Sequence, residues 1–366
     1  MSGNAQIMAV SAAYAAINGV SGAGFVRLYS KDGTDWNMFQ QINGPPVSYG
    51  EFGWSVDLSD DGSTLVVSTA DGAVSIFQLS NVTSEYELIH TTADINAAEV
   101  CVSGDGSAFG VTSGGSSNGA RIFVRGGERF QQRGPTFTGY GRYRGGIALN
   151  YNGTIVAIGD RLSNRRGRVG AFQWRDDNDD GSMEWMQMGP YIIGDAYNDY
   201  LGWYGCVSIT HDGLTLAVGA EGYDKDGLTN RGLVRVFNYD STSGTWNQSG
   251  SDLVGDNAHD SFSRTSLSSD GKYLAVGGND GGYVKIFEKI GNNYEMIEEK
   301  VSPGEGRHFG WSIDISADGA TVAIGDYYFV NELGRAYLLL RDELPSIPSG
   351  NGNGGMYLYM KRTLLA

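Results

Sequence analysis

One structural unit recurs along the whole sequence. Each copy has an alternating apolar segment, an Asp-Gly or Asn-Gly pair, a short apolar segment that ends in a small residue, and a third segment with an aromatic side chain. Such pairs supply the positive φ angles of two-residue β-hairpin turns, so each pair predicts a hairpin. The pairs are Asp61-Gly62, Asp105-Gly106, Asn152-Gly153, Asp212-Gly213, Asp270-Gly271 and Asp318-Gly319.

The spacing of the copies predicts the fold. The second segments are centred on Val10, Val67, Val111, Ile158, Val218, Val276 and Ile324. These positions are 44 to 60 residues apart, and a fourth segment with an aromatic residue follows most copies. Four-stranded units of this size that repeat without helical periodicity are typical of β-propellers. We therefore predict an all-β, seven-bladed β-propeller of four-stranded antiparallel blades, as a single domain over residues 1–345.

The first and last copies are incomplete. The first copy lacks its first strand, and the last copy, residues 308–342, lacks its fourth. The tail, residues 346–366, contains a Gly-rich spacer and then a strand-like segment. Two roles are open for this tail: it closes its own ring, or it adds a strand to a neighbouring molecule. Its predicted contact residues are Met356, Tyr357, Leu358 and Tyr359.

Charge is unevenly distributed along the chain. With 42 acidic and 26 basic residues the net charge is -16, so we expect neither nucleic acid nor membrane partners. Residues 121–168 nevertheless contain ten arginines and two acids. Separate basic and acidic faces favour head-to-tail contacts between copies of the chain. The alternatives are a patch for an acidic partner, or arginines paired within their own blades. The candidate assembly arginines are Arg125, Arg129, Arg133, Arg142, Arg144, Arg161, Arg165 and Arg166.

Few residues are arranged for catalysis. Cys101 and Cys206 lie in apolar segments, which favours packed, reduced thiols and a reducing compartment. The four histidines fall in different copies without metal-ligand spacing. The segments around Gly53, Gly202 and Gly310 precede strands, which indicates close backbone packing and not a phosphate-binding loop. We therefore predict that the protein is not an enzyme.

One acidic loop has the pattern of a calcium ligand set. Its oxygen-bearing residues are Asp176, Asn178, Asp180 and Glu184. Ca²⁺ takes several hard oxygen ligands, often around a glycine such as Gly181. The twelfth position is Gln187, where an EF-hand has Glu. A calcium site and a solvated hairpin tip both remain open, and no other cofactor is expected.

The segments 52–62 and 309–319 carry a family resemblance. Each reads Phe-Gly-Trp-Ser, an alternating strand and Asp-Gly, and Ala-Val/Ile-Gly and Gly-x-Val-x-Val-Phe patterns recur downstream. These features resemble the FG-GAP-like propeller repeats of diatom and related algal proteins, over nearly the whole chain. Within that group the chain is similar to pyrenoid-shell proteins, which form a lattice around the Rubisco-filled pyrenoid. The resemblance implies a structural role that supports CO₂ fixation, a location in the chloroplast stroma at the pyrenoid surface, and Rubisco as a possible client.

These observations predict a non-catalytic structural protein that self-assembles into a sheet, tube or shell lattice. The alternative is a monomeric propeller that binds a protein or a glycan, with calcium at the acidic loop. Dependence of the melting temperature on calcium would favour the second function.

Overall fold

The structure is a computed structural model that describes residues 1–92, 97–115, 119–127, 129–140, 144–176, 181–278, 280–302, 308–326 and 335–341. Its strands form seven antiparallel sheets arranged as the blades of a seven-bladed β-propeller, which confirms the predicted fold. The only helical element among these residues is a 3₁₀ turn at Ser163–Arg165. No helix in this part of the chain is long and apolar enough to cross a membrane.

Each blade is a meander of strands that runs outward from the central channel. Blade 1 contains β1 (Ile7–Ala12), β2 (Phe25–Asp32) and β3 (Asp35–Asn43); blade 2 contains β4 (Val56–Leu58), β5 (Thr64–Ser68), β6 (Val74–Leu79) and β7 (Tyr86–Thr92). Blade 3 contains β8 (Ala97–Val102), β9 (Ala108–Ser113), β10 (Arg121–Gly126) and β11 (Arg129–Gln132). Blade 4 contains β12 (Ile147–Leu149), β13 (Ile155–Asp160), β14 (Arg168–Arg175) and β15 (Glu184–Gln187), with β16 (Ile192–Ile193) also paired to β14.

The remaining blades follow the same order. Blade 5 contains β17 (Val207–Ile209), β18 (Thr215–Ala220), β19 (Leu233–Asp240) and β20 (Thr245–Val254). Blade 6 contains β21 (Phe262–Leu267), β22 (Tyr273–Gly278), β23 (Tyr283–Ile290) and β24 (Asn293–Val301). Blade 7 contains β25 (Phe309–Ile315), β26 (Thr321–Asp326) and β27 (Arg335–Leu340). Within the described residues, blades 1 and 7 are therefore three-stranded, as the incomplete terminal repeats predict.

The Asp-Gly pairs lie at turns, but the predicted turn type was wrong. Ser59 and Thr64 still pair through a backbone hydrogen bond, so the hairpin loop between them consists of the four residues 60–63 and not of two. Only Gly62 has a positive φ, of 73°. The Asp61 carboxylate accepts hydrogen bonds from the Ser59 hydroxyl and the Ser63 N–H. This side-chain cap holds Asp61 out of the left-handed region, because an Asx-turn already satisfies the backbone there.

A circle of backbone hydrogen bonds closes the ring at the end of the channel that carries these turns, which we call the turn face. Each N–H donates to a carbonyl of the next blade: Asn4 to Asp60, Asp60 to Gly104, Asp105 to Tyr151, Tyr151 to His211, His211 to Ser269, Ser269 to Ala317, and Ala317 to Gly3. Residues 3 and 4 thus stand where blade 1 lacks its first turn. The tail, for which ring closure was one of two predicted roles, lies outside the described residues.

Apolar side chains fill the space between successive blades, as a propeller requires. At the junction of blades 7 and 1, Met8, Tyr29 and Trp36 form a buried cluster that packs against Ala323 and Leu338. The ring is therefore closed by apolar packing as well as by the backbone circle.

Glycines let neighbouring blades approach at the opposite end of the channel, which we call the loop face. A Cβ on Gly159 would lie 1.9 Å from the carbonyl oxygen of Gly202, and one on Gly219 would lie 1.9 Å from that of Ser263. A Cβ on Gly310 would lie 2.9 Å from Val284. The prediction of close backbone packing around the Phe-Gly-Trp and Leu-Gly-Trp segments is confirmed.

Candidate interaction site at the loop face

Three tryptophans from distant repeats lie near the channel at the loop face. Trp54, Trp203 and Trp311 each follow a glycine of the close-packed segments and lie at or just before the innermost strand of a blade. All three side chains are half-buried. The rings of Trp203 and Trp311 meet edge to face with centroids 6.5 Å apart. The repeat therefore places aromatic surface from blades 2, 5 and 7 around one end of the channel.

The segment 203–205 bridges the channel between blades. The Tyr204 hydroxyl reaches the backbone oxygen of Trp54 at 3.5 Å. The Gly205 N–H donates to Glu99 Oε1 at 3.1 Å, and the Gly205 carbonyl accepts from the Thr265 N–H at 3.0 Å. Blade 5 is thus tied to blades 2, 3 and 6 across the loop-face end of the channel.

Arg264 lies at the centre of this arrangement and is 1% exposed. Its guanidinium carbon is 4.4 Å from the ring centroid of Trp311 and 5.0 Å from that of Trp203. Nη1 contacts the Cys206 sulfur at 3.6 Å, and Nη2 is 3.8 Å from a Glu221 carboxylate oxygen. Nε and Nη2 have no hydrogen-bond partner. A buried cation is held here mainly by aromatic faces.

Two further arginines extend the cluster towards solvent. The guanidinium of Arg144 lies 4.4 Å from the ring centroid of Trp54, and that of Arg161 lies 4.7 Å from the centroid of Trp203. Arg144 is exposed and Arg161 is half-buried. Each tryptophan therefore has a cationic partner, and the cluster of Trp54, Trp203, Trp311, Arg144, Arg161 and Arg264 is named the Trp–Arg cluster.

The acids that face the Trp–Arg cluster are shifted towards their neutral forms. Desolvation raises the pKa of Glu99 to about 8, although the Gly205 N–H and Arg264 oppose the shift. Desolvation also raises the pKa of Glu221 to about 7 against the opposing effect of Arg264. At neutral pH Glu99 is therefore mostly neutral and Glu221 is about half ionised, so the two acids offset only part of the positive charge of the three arginines.

We expect Glu99→Gln to flatten the dependence of stability on pH. The folded state raises the pKa of Glu99 from 4.5 to about 8, so its stabilisation is complete below about pH 4.5 and is lost as the pH rises through 8. The melting temperature of the parent protein should therefore fall by several degrees more than that of Glu99→Gln between about pH 5 and pH 8.5. Glu295→Gln, at an exposed position, is the control. Equal slopes for all three proteins would contradict the assignment.

The structure places the predicted assembly arginines on both ends of the channel. Arg125 and Arg129 flank a turn on the turn face, whereas Arg144, Arg161, Arg165 and Arg166 lie on the loop face. Arg142 lies outside the described residues. Residues 121–168 are continuous in sequence, but successive strands end alternately at the turn face and the loop face, so the arginines of this segment are divided between the two faces.

Several of these arginines are engaged within their own surroundings. Arg133 donates to the Gly153 carbonyl at 3.0 Å, and Arg165 lies 5.4 Å from the ring centroid of Tyr197. Arg166 donates to the Asp195 carbonyl. Their role in assembly stays a prediction.

The predicted calcium loop is described only at its ends. Asp176 follows β14 and accepts a hydrogen bond from the Gly181 N–H at 2.7 Å, and Glu184 begins β15 as an exposed residue. Asn178 and Asp180 lie outside the described residues. Elsewhere in the described ranges, no group of three or more His, Cys, Asp or Glu is placed to hold a metal ion.

Calcium binding at this loop remains testable. Millimolar CaCl₂ should raise the melting temperature, because a ligand that binds only the folded state stabilises it. The Asp180→Ala variant should lose that rise, whereas Asp240→Ala, in the equivalent turn of blade 5, should keep it. An identical rise in both variants would place the ion elsewhere, and no rise in the parent protein would leave a solvated turn.

Both cysteines are buried and free, as predicted. Desolvation raises the pKa of the Cys206 thiol to about 11 and raises that of Cys101 as well. Thiols with such pKa values stay protonated at neutral pH and are poor nucleophiles.

The turn face contains an acidic cavity of about 490 Å³ at the other end of the channel. Its lining residues are Gly3, Asn4, Asp60, Asp61, Gly104, Asp105, Tyr151, Ala317 and Asp318. His211 pairs with Asp60 at 2.9 Å beside it. The two ends of the channel therefore differ in charge, with arginine and tryptophan at one and aspartate at the other.

Comparison with known proteins supports the fold of this chain but assigns it neither a family nor a function. No protein-family model matches the sequence, and no curated protein matches it significantly. Hydrazine synthase from Kuenenia stuttgartiensis aligns with a TM-score of 0.59 and 16% identity, over 87% of this chain and 92% of that chain. The β-propeller domain of Cps50 (Swd1) from Myceliophteria thermophila aligns with a TM-score of 0.59 and 12% identity, over 87% and 90%.

A functionally unknown protein from Desulfotomaculum acetoxidans aligns with a TM-score of 0.56 and 14% identity, over 82% of this chain and 87% of that chain. At 12 to 16% identity these alignments support the fold alone: the chain is a seven-bladed β-propeller. The neighbours include an enzyme, so the fold alone does not settle enzymatic status. The resemblance to FG-GAP-like algal repeats stays a prediction.

Proposed function

We propose that the protein is a non-catalytic interaction propeller that docks a polypeptide partner on the Trp–Arg cluster. The observation that carries this proposal is the meeting of three half-buried tryptophans with three arginines at one end of the channel. Tryptophan and arginine are enriched among residues that dominate binding energy at protein interfaces. The propeller ring supplies a rigid frame, so docking requires little ordering of the backbone.

The chemistry of the cluster supports binding over catalysis. Its cysteine, Cys206, keeps its proton because of its raised pKa of about 11. The histidine next to the cluster, His308, lies 3.6 Å from Asp280 and packs against the edge of Trp311. Neither group is poised as a nucleophile or base beside a reacting atom.

Selection of random 12-residue peptides on the immobilised protein tests the proposal. Selected peptides should lose most of their affinity for the Trp54→Ala and Trp311→Ala variants and keep it for Tyr151→Ala, whose side chain lies on the turn face. Half-buried aromatic truncations at a binding hot spot cost about 2 kcal/mol, or roughly thirtyfold in Kd. Peptides that bind all three variants equally would contradict the proposal.

Self-assembly into a sheet, tube or shell lattice is a second candidate. It is favoured by the outer surface of the ring, where the outermost strands of the blades expose apolar side chains. These are Met38, Leu88, Met296 and Val301, each more than half exposed. In addition, β27 is the outermost strand of blade 7 within the described residues. A strand from the tail of a neighbouring copy could pair with the exposed edge of β27 by β-strand addition. Location at a pyrenoid surface with Rubisco as client belongs to this candidate and rests on the family resemblance.

Deletion of residues 352–366 should weaken assembly and leave the propeller folded. Electron microscopy of the full chain should show sheets or tubes at about 50 mM salt that dissolve towards about 500 mM, as screening removes contacts between charged faces. The truncated chain should form fewer assemblies at an unchanged melting temperature. Loss of the fold on truncation would show that the tail closes its own ring. Single particles at every salt concentration would contradict assembly.

A further inference from the structure

The Trp–Arg cluster contains hydrogen-bond donors that nothing in the described structure satisfies. Arg264 Nε and Nη2, Trp203 Nε1 and Arg161 Nε are all buried without a partner. An unsatisfied buried donor costs roughly 1–3 kcal/mol, and such groups in native proteins call for an explanation. Buried donors without a partner also occur elsewhere in the described residues, but four of them meet at this cluster, and we take this as a sign that an acceptor is supplied from outside.

The geometry of the free donors specifies the acceptor. Nε and Nη2 form one edge of the Arg264 guanidinium, and the other donor group, Nη1, already contacts Cys206. A carboxylate matches such an edge with two parallel N–H···O bonds. The Glu221 carboxylate comes no closer to Nη2 than 3.8 Å, which is beyond hydrogen-bond distance. The protein thus places an acid near Arg264 without letting it occupy the bidentate position.

The surrounding charges also favour an anion. Arg144 and Arg161 add two positive charges to the cluster. Glu99 binds the Gly205 N–H, and Asp280 accepts from the Ser261 hydroxyl, so both acids are engaged elsewhere. An incoming carboxylate would meet three cations in a largely desolvated site, where such attraction is stronger than in water.

Resting on the proposed function, we propose that the site recognises a carboxylate of the partner polypeptide and that Arg264 binds it through Nε and Nη2. Access requires movement of a ring, because Arg264 is 1% exposed beneath the half-buried Trp203 and Trp311. The two rings meet only edge to face. The proposal therefore requires that one of them swings outward to expose the guanidinium edge to the carboxylate.

Titration with glutarate, monitored by tryptophan fluorescence, tests the inference. Glutaramide is the matched neutral probe, and inorganic phosphate is the competing anion. Glutarate should give a saturable change with Kd in the millimolar range, as expected for a small single-site ligand. Glutaramide should give none, and phosphate should bind more weakly. The Arg264→Met variant should lose at least about tenfold in affinity for glutarate.

Glu221→Gln provides a variant with the opposite expectation. Removal of the nearby acid should tighten glutarate binding about threefold, because a like charge beside the site is lost. An equal response to glutaramide, tighter binding of phosphate, or unchanged affinity in both variants would overturn the carboxylate assignment. Peptides selected on the Trp–Arg cluster that lack any acidic requirement would leave the proposed function standing while this inference fails.

Discussion

Gly219→Ala should lower the free energy of unfolding by about 3 kcal/mol, at the upper end of the cost of overpacking a core. The new methyl group would lie 1.9 Å from the Ser263 carbonyl oxygen and 2.7 Å from its carbon. Both clashing groups are backbone, so no side chain can rotate away. Gly219 is also held in place by hydrogen bonds to Cys206 and Gly202. Blades 5 and 6 must therefore separate, and their shared apolar packing weakens.

Urea denaturation measures this change. Gly126→Ala is the control, since its Cβ would come no closer than 3.7 Å to any atom beyond its chain neighbours, and its nearest contacts would be the flexible Gln131 side chain and the Arg129 carbonyl. Its midpoint should differ little from that of the parent protein. Equal midpoints for Gly219→Ala and Gly126→Ala would contradict the close approach of blades 5 and 6.

Arg264→Met should stabilise the protein by about 1–2 kcal/mol. Replacement of a poorly paired buried charge by an apolar side chain of similar volume is often neutral or stabilising. Two guanidinium donors of Arg264 are unsatisfied, and the nearest Glu221 oxygen is 3.8 Å away. A methionine sulfur would keep favourable contacts with the rings of Trp203 and Trp311. The gain would show that Arg264 is retained at a cost in stability, as residues of binding sites often are.

Arg235→Met is the matched comparison for this experiment. Arg235 makes hydrogen bonds of 2.7 to 2.9 Å with both Asp195 and Asp252. Its replacement leaves the carboxylates of Asp195 and Asp252 without their cationic partner and should destabilise the protein by about 2 kcal/mol. Thermal or urea unfolding at about pH 6.5 compares the two variants. Destabilisation of similar size in both would mean that Arg264 is a structural residue with adequate partners.

The blades could be predicted from sequence because their signals are local. Alternation and the pair Asp61-Gly62 each act over a few residues, and the repeat multiplies them. The turn type could not be read from the pair alone. It depends on Ser59, two residues earlier, whose hydroxyl and backbone help form the wider turn.

The Trp–Arg cluster was missed because it is assembled from distant positions. Trp54 and Trp311 follow recognisable Phe-Gly pairs, and this shared position was the available signal. Arg264 reads in sequence as one polar residue of a strand, and only ring closure brings it beside Trp203 and Trp311. The run of arginines from residue 121 to 168 predicted only Arg144 and Arg161 of the cluster, and alternating strand ends divide that run between two faces.

Amide hydrogen exchange of the protein with and without a selected 12-residue peptide tests the central claim most directly. If the Trp–Arg cluster docks a polypeptide, the peptide should slow exchange in residues 51–56 and 200–206 on the loop face. Exchange at the turn-face residues 59–64 and 103–107 should not change. Protection confined to the turn face or to the outer strands of the ring would contradict docking at the cluster.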